Sequence, residues 1–265
     1  MSLLSVIEPA WVVSGLGVGL LVGMTGVGGG SLMTPLLVLL FGVHPATAVG
    51  TDLLFAAVTK TAGMIVHGVN RTVDWTVTGL LALGSIPATG LTLWALARVQ
   101  ASTGASAPLI SAVLGAMLLV TSAALLGRRW LRRLIEHARA GTEPDRRTRA
   151  VLTVVLGAVL GVVVSISSVG AGAIGMTALL LLHSDRPIAR LIGADIVHAV
   201  PLTLIAGLGH WLIGSVDFAL LATLLIGSIP GVVAGSLIGP RLPEPVLRFV
   251  LATVLAAVGL KLLLR

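Results

Sequence analysis

The chain has 265 residues, 56% of them hydrophobic and 10% charged, with a formal net charge of +7 and no cysteine. Soluble domains carry roughly 25% charged residues, so a soluble globular protein is excluded. Successive apolar runs longer than about 18 residues predict an all-α polytopic membrane protein and not a barrel. Lack of cysteine excludes a disulfide framework, a thiolate metal site and a cysteine nucleophile.

In chain order, Met1 to Glu8 has no basic n-region and no small-residue cleavage site, so no signal peptide is expected. Apolar segments are predicted over 10–24, 31–41, 46–69, 75–97 and 107–127, then over 150–168, 174–184, 189–213, 217–240 and 245–264. The chain thus divides into a first transmembrane repeat, 1–127, a basic loop, 128–149, and a second transmembrane repeat, 150–265. Arg128, Arg129, Arg132, Arg133, Arg139, Arg146, Arg147 and Arg149 crowd the loop. Flanked by apolar spans, they fit a cytoplasmic loop under the positive-inside rule, against anionic lipid, better than a nucleic-acid site.

The first two segments of each half are apolar pieces separated by Gly-rich or Ser-rich breaks. These are Thr25-Gly26-Val27-Gly28-Gly29-Gly30-Ser31 in the first half and Ser165-Ile166-Ser167-Ser168-Val169-Gly170-Ala171-Gly172 in the second. Each pair looks like a broken or re-entrant helix followed by three transmembrane helices. Irregular backbone at membrane depth is tolerated where it lines a cavity. Gly28, Gly29, Gly30, Gly170 and Gly172 permit such a backbone, and Ser31, Ser168 and Thr177 add hydroxyl donors, so these residues are candidates for binding an anion. The structural alternative is that small residues only let helices pack closely, as at Gly15, Gly19 and Gly23.

The halves repeat. A constant shift of 143 carries Gly50 to Gly193, Asp52 to Asp195, His67 to His210 and Asp74 to Asp217. It also carries Gly84-Ser85-Ile86-Pro87 to Gly227-Ser228-Ile229-Pro230, and Met33-Thr34 to Met176-Thr177. Paired halves with matching broken helices point to a secondary transporter. If each broken pair crosses the membrane twice or returns to its starting side, the repeats are inverted; if it crosses once, they are parallel. With the basic loop inside, inverted repeats leave only Arg98, Lys261 and Arg265 outside, whereas parallel repeats move Arg186, Arg190, Arg241 and Arg248 outside. The positive-inside rule therefore favours inverted repeats.

The segment from Gly50 to His67 carries Asp52, Lys60 and His67 in otherwise apolar or small surroundings. At about 100° per residue, Lys60 and His67 fall roughly 80° and 60° from Asp52, on one inward stripe. An ionised side chain at the bilayer centre costs roughly 2.5–3.5 kcal/mol on insertion scales, so these groups need partners or a wet cavity. Lys60 maps to Thr203 and is therefore not imposed by the repeat. It is a candidate cationic contact for an anionic substrate, or the partner of a buried acid. Asp195 and His198 share a helical face. With Asp52 they are candidates for relaying a proton, the alternative for each aspartate being a helix cap. His67 and His210 read more naturally as hydrogen-bonding groups at helix ends, and Asp74 and Asp217 as caps of the next helix. Thr51, beside Asp52, is a further candidate for substrate binding.

At these residues the chain resembles the sulfite exporter TauE/SafE family, also called the toluene sulfonate uptake permeases. The resemblance rests on Gly23-Met24-Thr25-Gly26-Val27-Gly28-Gly29-Gly30 with Pro35, on Ala48-Val49-Gly50-Thr51, and on their echo in the second half. The branch it looks most like carries Thr59-Lys60-Thr61, Ala194-Asp195-Ile196 and His198-Ala199-Val200-Pro201. Many members have Ser where Asp52 stands. The resemblance implies a multi-pass inner-membrane permease for sulfite, sulfoacetate, sulfonates, thiosulfate or related organic anions. The partners expected are that small anion and the lipid bilayer, with a homodimer left open; neither a metal nor a cofactor is expected. Two rival classes are weighed against a transporter. An intramembrane hydrolase would pair Ser167 or Ser168 with His198, and a non-transporting accessory subunit would leave the buried lysine unexplained.

Overall fold

The computed structural model describes residues 9–25, 30–39, 41–103, 107–127, 133, 145–238 and 244–264. The described residues form helices α1 (Pro9–Thr25), α2 (Gly30–Leu39), α3 (Pro45–Val69), α4 (Trp75–Thr103) and α5 (Ala107–Leu126). The second half follows with α6 (Arg146–Ser167), a π-helical turn (Ala171–Gly175), α7 (Met176–Leu182), α8 (Ile188–Leu212), α9 (Phe218–Ile238) and α10 (Glu244–Leu263). There is no strand among them. Six of these helices, α3, α4, α5, α6, α8 and α9, are long and apolar enough to cross a membrane. Large apolar side chains such as Val13, Leu83, Leu91, Val159, Ile229 and Val233 face outward, as a bundle solvated by lipid requires.

Local signals explain the boundaries. Pro45 opens α3, where its missing N–H costs no hydrogen bond. Asp74 and Asp217 cap α4 and α9 through Val77 N–H (3.2 Å) and Leu220 N–H (2.9 Å), as the sequence suggests. Asp145 caps α6 by accepting from Arg147 N–H and Thr148 N–H. Thr148, which donates to it through both hydroxyl and backbone, holds this carboxyl below the usual carboxylate range. That cap starts α6 at Arg146, so the last arginines of the predicted loop belong to the helix.

Four helix pairs build the bundle: α1 on α9, α6 on α4, α3 on α8, and α5 on α10. Glycine lets backbones meet along the first two. A Cβ on Gly227 would fall 2.0 Å from the Val12 carbonyl oxygen, and one on Gly84 would fall 1.9 Å from that of Val154. Gly15 abuts the Leu224 carbonyl and Gly157 that of Leu81. Leu224 and Leu81 are related by the shift of 143, and Gly157 and Gly15 by one residue less. The central pair, α3 and α8, runs antiparallel. Gly50 abuts the Ser215 carbonyl, Leu54 meets Gly207, Gly63 meets Ile196, and Gly193 abuts the Thr72 carbonyl. Along their own seam α1 and α9 run parallel, Gly15 meeting Leu224 and Gly19 meeting Ser228.

A polar cluster joins the halves at one end. Arg186, in the turn after α7, pairs with Asp74 at 3.0 Å, Arg149 pairs with Asp185 at 2.7 Å, and Asp74 N–H donates to the Arg190 carbonyl at 3.4 Å. Buried among them, His183 bonds through Nε2 to Thr153 Oγ1 at 2.8 Å, while the Thr153 hydroxyl is in turn bonded to the Arg149 carbonyl. Burial, helped by the neighbouring Arg149 and Arg186 and opposed by Asp185 and Asp74, pushes its imidazole below the ordinary value. Acidification through about pH 6.5 then protonates the unfolded ring before the folded one, so stability falls as pH drops. Melting curves from pH 7.5 down to 5 are expected to show a steeper loss in the parent than in His183→Gln; parallel losses would contradict this.

Candidate functional site

The contacts of Leu54 with Gly207 and of Gly63 with Ile196 fix the register of the α3/α8 crossing and bring Lys60 to the level of His198. Lys60 is half-buried. Its neighbours Thr59 and Thr61 turn their hydroxyls back onto the helix, to the carbonyls of Phe55 (2.9 Å) and Ala57 (2.7 Å). Among the described residues Lys60 makes no ion pair within 4 Å, yet Asp195 and Asp52 both lie within electrostatic reach of it. An ammonium with two carboxylates nearby and none in contact leaves room for a third party.

Each acid lies against a broken segment. Asp52 is fully buried; it accepts a short hydrogen bond from Thr34 of α2 through Oδ2, and its Oδ1 has no partner. Ser168, in left-handed conformation (φ 58°) at the end of α6, also interacts with Asp52. Asp195 is buried beside Gly175 of the π-helical turn, and its Oδ1 likewise has no partner. Neither aspartate caps a helix: α3 begins at Pro45 and α8 at Ile188, two turns earlier, with His44 and Pro187 at the N-cap positions. A cap needs the unbonded N–H groups of a first turn, which have ended by residues 52 and 195.

The other candidates separate. Gly28 and Gly29 lie outside the described residues, and so does the side chain of Ser31; Gly30 is the first residue of α2. Gly170 needs its missing side chain, with φ at +115°, and Gly172 has open space where a Cβ would stand. Thr177 is half-buried in the first turn of α7. The Thr51 hydroxyl oxygen accepts from Asp217 N–H at 3.1 Å, which ties it to the α8–α9 turn. His210 is buried and donates from Nε2 to the Ser165 carbonyl at 2.8 Å. His67 Nδ1 bonds to Thr72 Oγ1 at 2.8 Å at the end of α3. These two histidines fasten helix ends, and Asp52, Lys60, Asp195 and His198 remain as the inner group. The hydrolase dyad is not formed. Ser167 is engaged by Val163 O and Val169 N–H, and His198 Nε2 bonds instead to Ser85 Oγ at 2.8 Å.

Comparison with known proteins agrees with this picture. The model of the family described as "Sulfite exporter TauE/SafE" matches residues 11–262. The chain belongs to the sulfite exporter TauE/SafE family. A TauE/SafE assignment also accords with its curated relatives, all from Bacillus subtilis (strain 168). "Probable membrane transporter protein YjnA" is 38% identical over 252 residues, 95% of this chain and 98% of the relative. "Probable membrane transporter protein YdhB" is 28% identical over 250 residues, covering 92% and 96%. No solved structure is significantly similar to the chain. For this TauE/SafE protein, sequence reasoning missed two residues that bond to the inner group, Thr34 to Asp52 and Ser85 to His198. Both carried a signal: Thr34 stands 143 residues before Thr177, and Ser85 sits in a Gly-Ser-Ile-Pro stretch that recurs at 227–230.

Proposed function

We propose that this membrane transporter carries small organic or sulfur-containing anions, of the class of sulfite, sulfoacetate, sulfonates and thiosulfate, by alternating access between two inverted repeats. The observation that carries this reading is Lys60: a cation half-buried in a membrane-length helix, close to two acids and paired with neither. The fixed cation attracts an anion, and one ionised acid beside it, the other holding its proton, keeps the site neutral when it is empty. The antiparallel run of α3 against α8, two helices matched by the shift of 143, supports inversion. Parallel repeats would need Asp74 and Arg186 on opposite faces of the bilayer. With the basic stretch 128–149 on the cytoplasmic side of the inner membrane, Arg71, Arg186 and Arg190 join it there, in keeping with the positive-inside rule. Because α1 is seamed to α9 and α6 to α4, the bodies that move combine helices from both halves. Asp52 and Asp195, each with an unpartnered oxygen, are the groups through which proton movement is coupled to the anion.

Two measurements test this. Purified protein is expected to rise in melting temperature with at least one of sulfite, sulfoacetate, methanesulfonate and thiosulfate, since a ligand of the folded state stabilises it. In proteoliposomes, flux of that anion is expected to respond to an imposed pH gradient, and Asp195→Asn to lose the response. A melting temperature that rises with none of the four anions would contradict the substrate class; flux indifferent to the gradient would contradict the coupling.

A further inference from the structure

The serine that holds His198 decides which of its ring nitrogens is left without a partner. A serine inside a helix ordinarily donates its hydroxyl proton to a carbonyl one turn back. Ser85 does not. Its side chain is fully buried, and among the described residues its hydroxyl has one hydrogen-bond partner, His198 Nε2 at 2.8 Å. A buried hydroxyl proton without an acceptor is costly. Nε2 is the acceptor on hand, so in the neutral ring Nε2 carries the lone pair and Nδ1 carries the proton. Nδ1 is itself buried and has no partner. The result is an unsatisfied N–H donor on α8, at the level of Lys60.

The other two buried histidines are wired the opposite way. His210 gives its Nε2 proton to the Ser165 carbonyl, and His183 gives its own to Thr153, whose hydroxyl is committed to the Arg149 carbonyl. Both therefore hold a lone pair at their unpartnered Nδ1 atoms. The repeat mates of the pair supply a second contrast. His198 maps to Phe55, and Ser228, the mate of Ser85, turns back to its own helix, to the Leu225 carbonyl at 3.4 Å. The Ser–His pair, which spans the two halves, is not repeated under the shift of 143, just as Lys60, which maps to Thr203, is not.

We infer that His198 Nδ1–H is a second donor to the transported anion, opposite the Lys60 ammonium, and that Ser85 is the positioning residue that fixes its tautomer. The inference rests on the anion reading above and assigns His198 to the substrate and not to proton transfer. A trigonal or tetrahedral oxyanion offers several oxygens, so one lysine from α3 and one imidazole from α8 can hold it between helices of opposite halves.

The test uses full-length protein with 15N-labelled histidine, purified in detergent, with sulfite, sulfoacetate, methanesulfonate and thiosulfate as probes. In the parent, the His198 signals, assigned by their loss in His198→Gln, are expected to report a protonated Nδ1 and a bare Nε2. The Nδ1 signal is expected to move on addition of whichever probe raises the melting temperature. Ser85→Ala is expected to return the ring to the Nε2–H form and to weaken binding of that probe by about tenfold, the usual scale for one hydrogen bond to a charged group. His198→Gln is expected to weaken it at least as much, and Ser228→Ala to leave it unchanged. A bare Nδ1 in the parent, or full affinity in both folded Ser85→Ala and His198→Gln, would overturn the assignment while leaving the anion reading intact. A parent that responds to none of the four probes would overturn both.

Discussion

Replacing Lys60 with methionine is expected to abolish anion flux, by about a hundredfold or more, while leaving the yield and dispersity of the purified protein near those of the parent. Methionine keeps most of the unbranched stem, so the packing of α3 against α8 survives and only the charge is lost. A charge-assisted contact in a low-dielectric site contributes about 2–3 kcal/mol, and each 1.4 kcal/mol is a factor of ten. Loss of the cation also leaves Asp52 and Asp195 to repel an incoming anion, which moves the effect in the same direction. Lys60→Arg is a sharper probe than it looks. Guanidinium keeps the charge but is a planar fork, whereas ammonium is a compact point charge, so partial flux with altered preference among the four anions is expected. Counterflow of radiolabelled anion in proteoliposomes measures all three proteins, and flux within twofold of the parent in Lys60→Met would remove the lysine from the site.

Much of this arrangement was legible in the sequence, for a physical reason. Membrane-length hydrophobic runs and the cost of charge in oil both act on single segments, so every predicted apolar segment overlaps a helix, most ends agreeing within a few residues. Asp52, Lys60, Asp195 and His198 stood out because nothing local explains them. The capping alternative for the aspartates fails because the glycines two residues before them, at positions 50 and 193, do not open the helices. They lie inside α3 and α8, where the absent side chains admit the Ser215 and Thr72 carbonyls. Thr51 looked like a binding hydroxyl for want of tertiary information; its partner, the Asp217 N–H, is far away in sequence. Thr34 and Ser85 were missed because a buried threonine or serine in a membrane helix usually bonds to its own backbone, and only the neighbouring helix reveals the exception.

Alanine at Gly84 and at Gly227 is expected to destabilise the protein by about 3 kcal/mol or more in each case, the upper end of what overpacking costs. A Cβ at either site meets main chain that cannot turn aside: at Gly84 the Val154 carbonyl at 1.9 Å and Ala158 N at 2.7 Å, at Gly227 the Val12 carbonyl at 2.0 Å and Leu16 N at 2.8 Å. Relief would require α4 to part from α6, or α9 from α1. Gly79 and Gly90 lie on the same helix as Gly84 with nothing within 4 Å of a Cβ. There alanine is expected to be neutral or to stabilise by up to about 1 kcal/mol, its intrinsic advantage over glycine in a helix. Opposite signs on one helix separate backbone contact from propensity. Equal losses at residues 84 and 227 would mark the two seams as mechanically equivalent, the condition under which two states related by exchanging the halves lie close in energy. Unfolding in a mixed-micelle denaturant titration measures all four variants. If Gly84→Ala and Gly227→Ala unfold with Gly79→Ala, the helices do not meet as closely as described, and the seams do not tie the two halves together.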